Sequence, residues 1–168
     1  MGCDFETVHQ DVEESFPPNL LLEDVPAFLA RKKAHSIREQ LAPGQVILAS
    51  ATIVLQDQVI FHKPKDYDDA VRIHQALSDK KHTVVTGVCL LGVEREVTLS
   101  DTAIVHMAPL SRAEIDYYIH KCKPYDKAGA YAIQEWIGLT KIKKIEGTYN
   151  TIVGLPTQKV YEALQTFL

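Results

Sequence analysis

LASATIVLQDQVIFHKP, residues 48–64, has two apolar runs on either side of the polar pair Gln56-Asp57. Runs rich in Val and Ile with a polar break between them spell a strand, a tight turn and a returning strand. The first run, Ala49-Ser50-Ala51-Thr52-Ile53-Val54, holds no carboxylate. The second runs into Lys63-Pro64, and the proline keeps the residue before it extended. A lysine at the end of a strand can enter a pocket or simply face water. Taken alone, the stretch reads either as a structural hairpin or as an active-site strand that lacks an acid.

Working outward, the pattern alternates helix and strand. Upstream, EDVPAFLARKKAHSIREQL (residues 23–41) is expected to be a helix, with Asp24 as its cap and Pro26 in its first turn. Ala30, Ala34, Ile37 and Leu41 mark one face. FETV, from Phe5, reads as a short strand, followed by the acidic, proline-broken loop DVEESFPPNL. Downstream, Asp66 should cap a second helix with Ala70, Ile73 and Leu77 inward. HTVVTGVCLLGV and REVTLSDTAIVHMAPL read as long strands that meet near Gly92. Ser111 and Glu114 form a capping-box pattern for a third helix. PYDKAGAYAIQEWIG looks irregular, LTKIKKIEG alternates apolar and basic, and a last helix puts Val160, Leu164 and Leu168 on one face. This order predicts a single α/β domain over residues 1–168, with a mixed sheet flanked by helices.

Bulk composition narrows the classes. Hydrophobic residues make up 46% and charged residues 24% of the 168, the balance of a folded globular chain. A net charge of -4 argues against a general nucleic-acid binder, which would carry a basic surface. No apolar window is long enough to span a membrane. Cys3, Cys89 and Cys122 form no CxxC, which suits thiols in a reducing cytoplasm. The N-terminal Met-Gly-Cys fits myristoylation poorly, because position 6 is Glu rather than Ser or Thr.

Four places concentrate polar groups. Asp11, Glu13 and Glu14 could hold a divalent cation through oxygen ligands, or form a solvated acidic loop. Lys33 and Lys63 could meet phosphate as point charges, or face water. In DKAGAYAIQEW, residues 126–136, Gly129 permits an uncommon backbone angle. There Tyr131 and Trp136 offer stacking surfaces and Gln134 an amide that can read a base edge, or the segment is a buried turn with aromatic packing. The phosphate-binding glycine loops, the nucleophile elbow and the zinc-protease motif are all missing. Chemistry, if present, falls to lysines and carboxylates.

Read in order, DVEES (11–15), LARKKA (29–34), HKPKDYDDA (62–70), HTVVTGV (82–88), KPYDKAGAYAIQEWIG (123–138) and IEGTYNTIVGLP (145–156) resemble the Maf family of nucleoside triphosphate pyrophosphatases. The resemblance spans nearly the whole chain. It implies an elongated domain with a central mixed sheet and a cleft between two lobes. It also implies hydrolysis of a nucleoside triphosphate to the monophosphate and pyrophosphate, assisted by Mg²⁺ or Mn²⁺. The tyrosine in DKAGAY is similar to the branch acting on dTTP and UTP, or on modified pyrimidine nucleotides, and family members are often homodimers. By the same resemblance, Glu14 matches a metal-site acid, Lys33 and Lys63 match lysines facing the triphosphate, and Gln134 matches a glutamine of the cleft.

Three departures shape the expectations. The chain begins about where the family's first strand, Ser-x-x-Arg-Arg loop and helix end, so roughly two dozen residues are expected to be missing; a misplaced start codon, a cloning boundary or gene decay would each give this. ATIV, residues 51–54, stands in register with a family motif beginning Asp-Thr, so Ala51 occupies the station of the presumed general base. A methyl group accepts no proton, and such bases contribute ~100- to 10,000-fold in rate. His62 and Ala132 replace family glycines, and Thr151 replaces a frequent asparagine. The expectation is therefore a nucleotide pyrophosphatase with impaired turnover, or alternatively a degenerate homologue that binds nucleotide or a protein partner without turnover.

Overall fold

In the computed structural model, which describes residues 2–167, β1 (Ile47–Gln56) and β2 (Val59–Phe61) form the expected hairpin. Asp57 and Gln58 both take positive φ, 49° and 67°, the mark of a two-residue turn whose twist matches its strands. Register pairs Val54 with Phe61 and Gln56 with Val59. Strands β3 (Lys81–Leu91) and β4 (Glu96–Met107) are joined at residues 92–95, where Gly92 N–H donates to Arg95 O at 2.8 Å. Strand β5 (Ile142–Glu146) pairs antiparallel with β4, Val105 opposite Ile145.

The α/β class holds, but the sheet, ordered β2-β1-β3-β4-β5, is antiparallel rather than mixed. The reason is the crossover through α2 (Tyr67–Leu77). It connects β2 to β3, and these two strands run the same way, but β1 lies between them. Helix–strand alternation therefore produces no hydrogen-bonded parallel pair.

The chain divides into two compact units. The first comprises Met1–Ala51, Thr86–Asp101 and Gly154–Leu168. Its helix α1 (Val25–Ser36) buries Val25, Leu29, Ala30 and Ala34. A Cβ on Gly87 would fall 2.2 Å from Ala27 N, so α1 lies directly against β3 backbone. Arg31 Nε and His35 Nε2 both reach the Glu96 carboxylate, at 2.5 and 2.8 Å. Burial acts to raise that carboxyl's pKa, but the hydrogen bonds from His35 and Arg31 outweigh it and hold it low. Helix α6 (Thr157–Leu164) buries Val160 and ties back through Lys159 to Asp101 at 2.5 Å. Leu164 is half-buried, and Leu168 lies outside the described residues.

The second unit comprises Thr52–Val85 and Thr102–Val153. Helices α2 and α3 (Arg112–Cys122) both begin as their sequences prescribe. Asp66 Oδ1 accepts from Asp69 N at 2.8 Å, and Ser111 and Glu114 form a complete capping box. Ala70, Ile73 and Leu77 enter the core with Val84, Val105, Ile115 and Tyr118. Helix α4 (Trp136–Lys141) takes the first third of LTKIKKIEG, leaving only residues 142–146 for β5. A short helix, α5 (Tyr149–Val153), completes the unit.

Three local expectations are corrected. FETV forms no strand, and Phe5 is 87% exposed, because an isolated extended segment has no neighbour to pair with. Asp24 makes no side-chain cap; it ends a 3-10 turn over Leu22–Asp24 that feeds straight into α1. That helix stops at Ser36, and a second 3-10 turn, Arg38–Gln40, carries Leu41 off the predicted face.

The three cysteines remain thiols: Cys3 exposed, Cys122 half-buried, Cys89 buried in β3, where burial pushes its pKa up. Among the described residues, no helix is long and apolar enough to cross a membrane.

Candidate active site

In the first unit, the lysines of α1 lace down the acidic loop. Lys33 Nζ donates to Glu14 Oε1 at 2.8 Å. Lys32 Nζ donates to Glu13 O at 2.6 Å and to Ser15 Oγ at 3.0 Å. The grip of Arg31 and His35 on Glu96, and the contact of α1 with Gly87, fix the helix that presents these amines. Lys33 and Glu14 are thus brought together, each occupying the other. Ala51, on β1, is 7% exposed, so its methyl is packed away.

In the second unit, Lys63 follows β2 and is exposed, while Pro64 after it is buried and anchors the chain. The preceding carbonyl, His62 O, accepts from Gly129 N–H at 3.3 Å. Gly129 belongs to a 3-10 turn, Ala128–Ala130, in which Gly129 and Ala130 take φ of 70° and 58°. A Cβ at Gly129 would fall 2.8 Å from Val54 Cγ2, so glycine is required there for space as well as for angle. Just before the turn, Lys127 Nζ lies 3.0 Å from Asp126 Oδ2. The Asp126 carboxyl is held low first by that hydrogen bond, against the penalty of burial, with the charge of Lys63 adding to it. Lys63, Asp126 and Lys127 therefore share one electrostatic neighbourhood. Lys127 went unremarked in the sequence; its only signal was the Asp-Lys pair opening DKAGAY.

Gln134 is exposed at the tip of a tight turn closed by Glu135 N–H to Ala132 O at 3.1 Å. The Tyr118 hydroxyl braces both sides of that turn, accepting from Ala132 N at 3.1 Å and donating to the Glu135 carboxylate. Burial and the Glu135 bond push the phenol pKa up, so it stays a donor. Gly138 packs on Ile133, where a Cβ would meet the carbonyl oxygen at 1.7 Å. The turn thus holds Gln134 outward on a fixed base.

Of the two readings of this segment, aromatic packing holds for Tyr131. Tyr131 is buried, and its hydroxyl shares a 2.8 Å hydrogen bond with His82 Nε2. Trp136 packs edge-on against Tyr117, ring centres 5.2 Å apart. Tyr131 is used in packing, Trp136 is half-buried, and Asp126 and Gln134 are the exposed polar groups of this segment. Of the smaller departures, His62 is exposed, Ala132 is buried and Thr151 is buried against Thr148.

Among the described residues, no three His, Cys, Asp or Glu side chains gather into a metal cage. Magnesium-type sites use one or two carboxylates and complete their shell with water and substrate phosphates. An exposed carboxylate such as Glu14 is compatible with that mode.

The family model described as Maf-like protein matches residues 1–167. A dTTP/UTP pyrophosphatase of Flavobacterium johnsoniae is 41% identical over 168 residues, covering 100% of this chain and 87% of the relative. One from Christiangramia forsetii is 42% identical over 157 residues, 94% and 80% of the two chains. A third, from Phocaeicola vulgatus, is 43% identical over 154 residues, 92% and 80%. With a match along its whole length and this degree of identity, the chain belongs to the Maf family.

Proposed function

We propose that this chain is a nucleotide pyrophosphatase that acts on dTTP and UTP. Water attacks the α-phosphorus, the bond from that phosphorus to the bridging oxygen breaks, and pyrophosphate leaves with the electron pair, giving the monophosphate and a proton. The observation that carries this reading is the 41% identity, over all 168 residues, to a relative named for that activity.

The chain's own residues suit the task. Lys33 and Lys63 supply the positive charge that holds phosphate oxygens, and Lys127 reinforces the second of these. Fixed cations at a phosphoryl centre also stabilise the charge that builds as the bond breaks. Gln134 offers both a donor and an acceptor to the amide edge of a pyrimidine. A bound divalent cation, Mg²⁺ or Mn²⁺, would neutralise part of the triphosphate's charge, with Glu14 as its protein ligand. Three thiols suit a reducing cytoplasm.

Ala51 sets the rate. At the base's station stands a buried methyl, so no carboxylate there takes the proton of the attacking water. This favours slow turnover, and as a second reading, nucleotide binding without turnover. Pyrophosphate release from dTTP and UTP with Mg²⁺ or Mn²⁺, alongside calorimetric binding, decides. Binding with slow release supports the proposal, binding with none supports the second reading, and absence of both defeats the two together.

A further inference from the structure

His74 has no part in the site described above, and an apolar residue would suit its surroundings. It is fully buried on α2, with Ile73 and Leu77 as neighbours on the helix and the Tyr118 ring edge-on 5.5 Å away. Burial holds its pKa down at about 4, so the ring is neutral. Its Nε2 lies 2.7 Å from Ala130 O. A carbonyl only accepts, so Nε2 carries the proton and Nδ1 is bare. Among the described residues, that buried Nδ1 has no hydrogen-bond partner. Leaving a polar atom unsatisfied in a core is destabilising, so the single bond to Ala130 is what the imidazole contributes.

That bond acts on an unusual piece of backbone. Ala130 sits in the left-handed region, φ 58°, which a residue with a Cβ seldom adopts. Its neighbour Gly129, φ 70°, donates its N–H to His62 O, one residue before Lys63. The imidazole, the Ala130 carbonyl, the Gly129 amide and the backbone entering Lys63 form one continuous line.

We propose that His74 is a positioning residue: its Nε2–H clamps the Ala130 carbonyl, holds the Gly129–Ala130 turn left-handed, and so fixes the backbone that presents Lys63 to the triphosphate. The proposal rests on the reading of Lys63 as a phosphate-holding cation.

The test compares His74→Leu, which fills the space without a donor, with His74→Gln, which restores a side-chain N–H. In His74→Leu, exchange of the Gly129 amide with solvent should accelerate and dTTP binding should weaken on the order of tenfold, as misplaced binding groups do. His74→Gln should recover most of both, which filling of space alone would not achieve. In the unsubstituted protein, nitrogen NMR should show His74 as the Nε2–H tautomer. An Nδ1–H tautomer, unchanged Gly129 exchange in His74→Leu, or a glutamine variant no better than leucine would each overturn the proposal. Should the unsubstituted protein bind no dTTP, the nucleotide reading fails, and the exchange and tautomer readings still decide the clamp.

Discussion

Lys33 and Glu14 neutralise each other, Nζ to Oε1 at 2.8 Å, although one is the expected phosphate cation and the other the expected metal ligand. Both side chains are partly exposed, so the pair contributes little stability. On the proposed reading of Lys33, the pair keeps the amine occupied until a phosphate arrives. Glu14→Gln should therefore tighten metal-free dTTP binding by about fivefold, the worth of releasing such a pair. The same variant should lose the gain in affinity that Mg²⁺ gives. Calorimetric titration with and without chelator measures both, and weaker metal-free binding would refute the switch of partners.

Ala51→Asp places a carboxylate on β1 where the methyl is now buried. Burial raises a carboxyl pKa toward neutrality, which suits a base. Pyrophosphate release from dTTP is expected to rise by about 100-fold or more, with some loss of thermal stability from the buried charge. Unchanged release with dTTP still bound would mean that the base's station is not at residue 51.

Two buried histidines give the stability a pH window. His74 and His82 are both held down at about 4, His74 by burial and His82 by burial with the charge of His106 adding. The unfolded chain, with histidines near 6.5, takes up more protons than the folded chain between those values. Their stabilising contribution is therefore complete above about pH 6.5 and is lost as pH falls toward 4, on the order of 3 kcal/mol for each. Urea midpoints at pH 7 and pH 4.5 should differ accordingly. A flat profile would place these rings in contact with water.

Gly87 allows the backbone of α1 to lie on β3, with Ala27 N only 2.2 Å from where a Cβ would be. Gly87→Ala must displace the helix and should cost about 3 kcal/mol, read by urea unfolding. Gly92→Ala is the control, because its Cβ would meet the Phe167 ring at 3.2 Å, and a side chain can yield. Its cost should be below about 1 kcal/mol. Similar costs for the two would contradict a backbone contact at Gly87.

The legible parts of this fold were those specified locally. The hairpin, the Asp66 cap, the Ser111–Glu114 box and the apolar face of α2 need only neighbours in sequence, and each forms, although the turn falls at Asp57-Gln58, one residue later than the polar pair Gln56-Asp57 indicated. Sheet direction was not legible, because it depends on which strand separates β2 from β3. Asp24 failed as a cap because the turn before it is itself helical, and FETV failed because pairing requires a partner that composition does not reveal. Lys63 and Gln134 were singled out by motif, and both are exposed. The mutual capture of Lys33 and Glu14 spans 19 residues and could not. Whether Tyr131 stacks on a base or packs inward stayed open in the sequence, because an aromatic residue's letter does not say which ring it packs on.

The graded burial of the three cysteines supplies a reporter that needs no added dye. A thiol reagent should take Cys3 at once and Cys122 more slowly, whereas Cys89 lies inside β3, the central strand of the sheet. Its capture waits for that strand to separate from its neighbours. The late phase of labelling would then time the opening of the sheet, and its slowing by a ligand would measure how much that ligand holds the strands together.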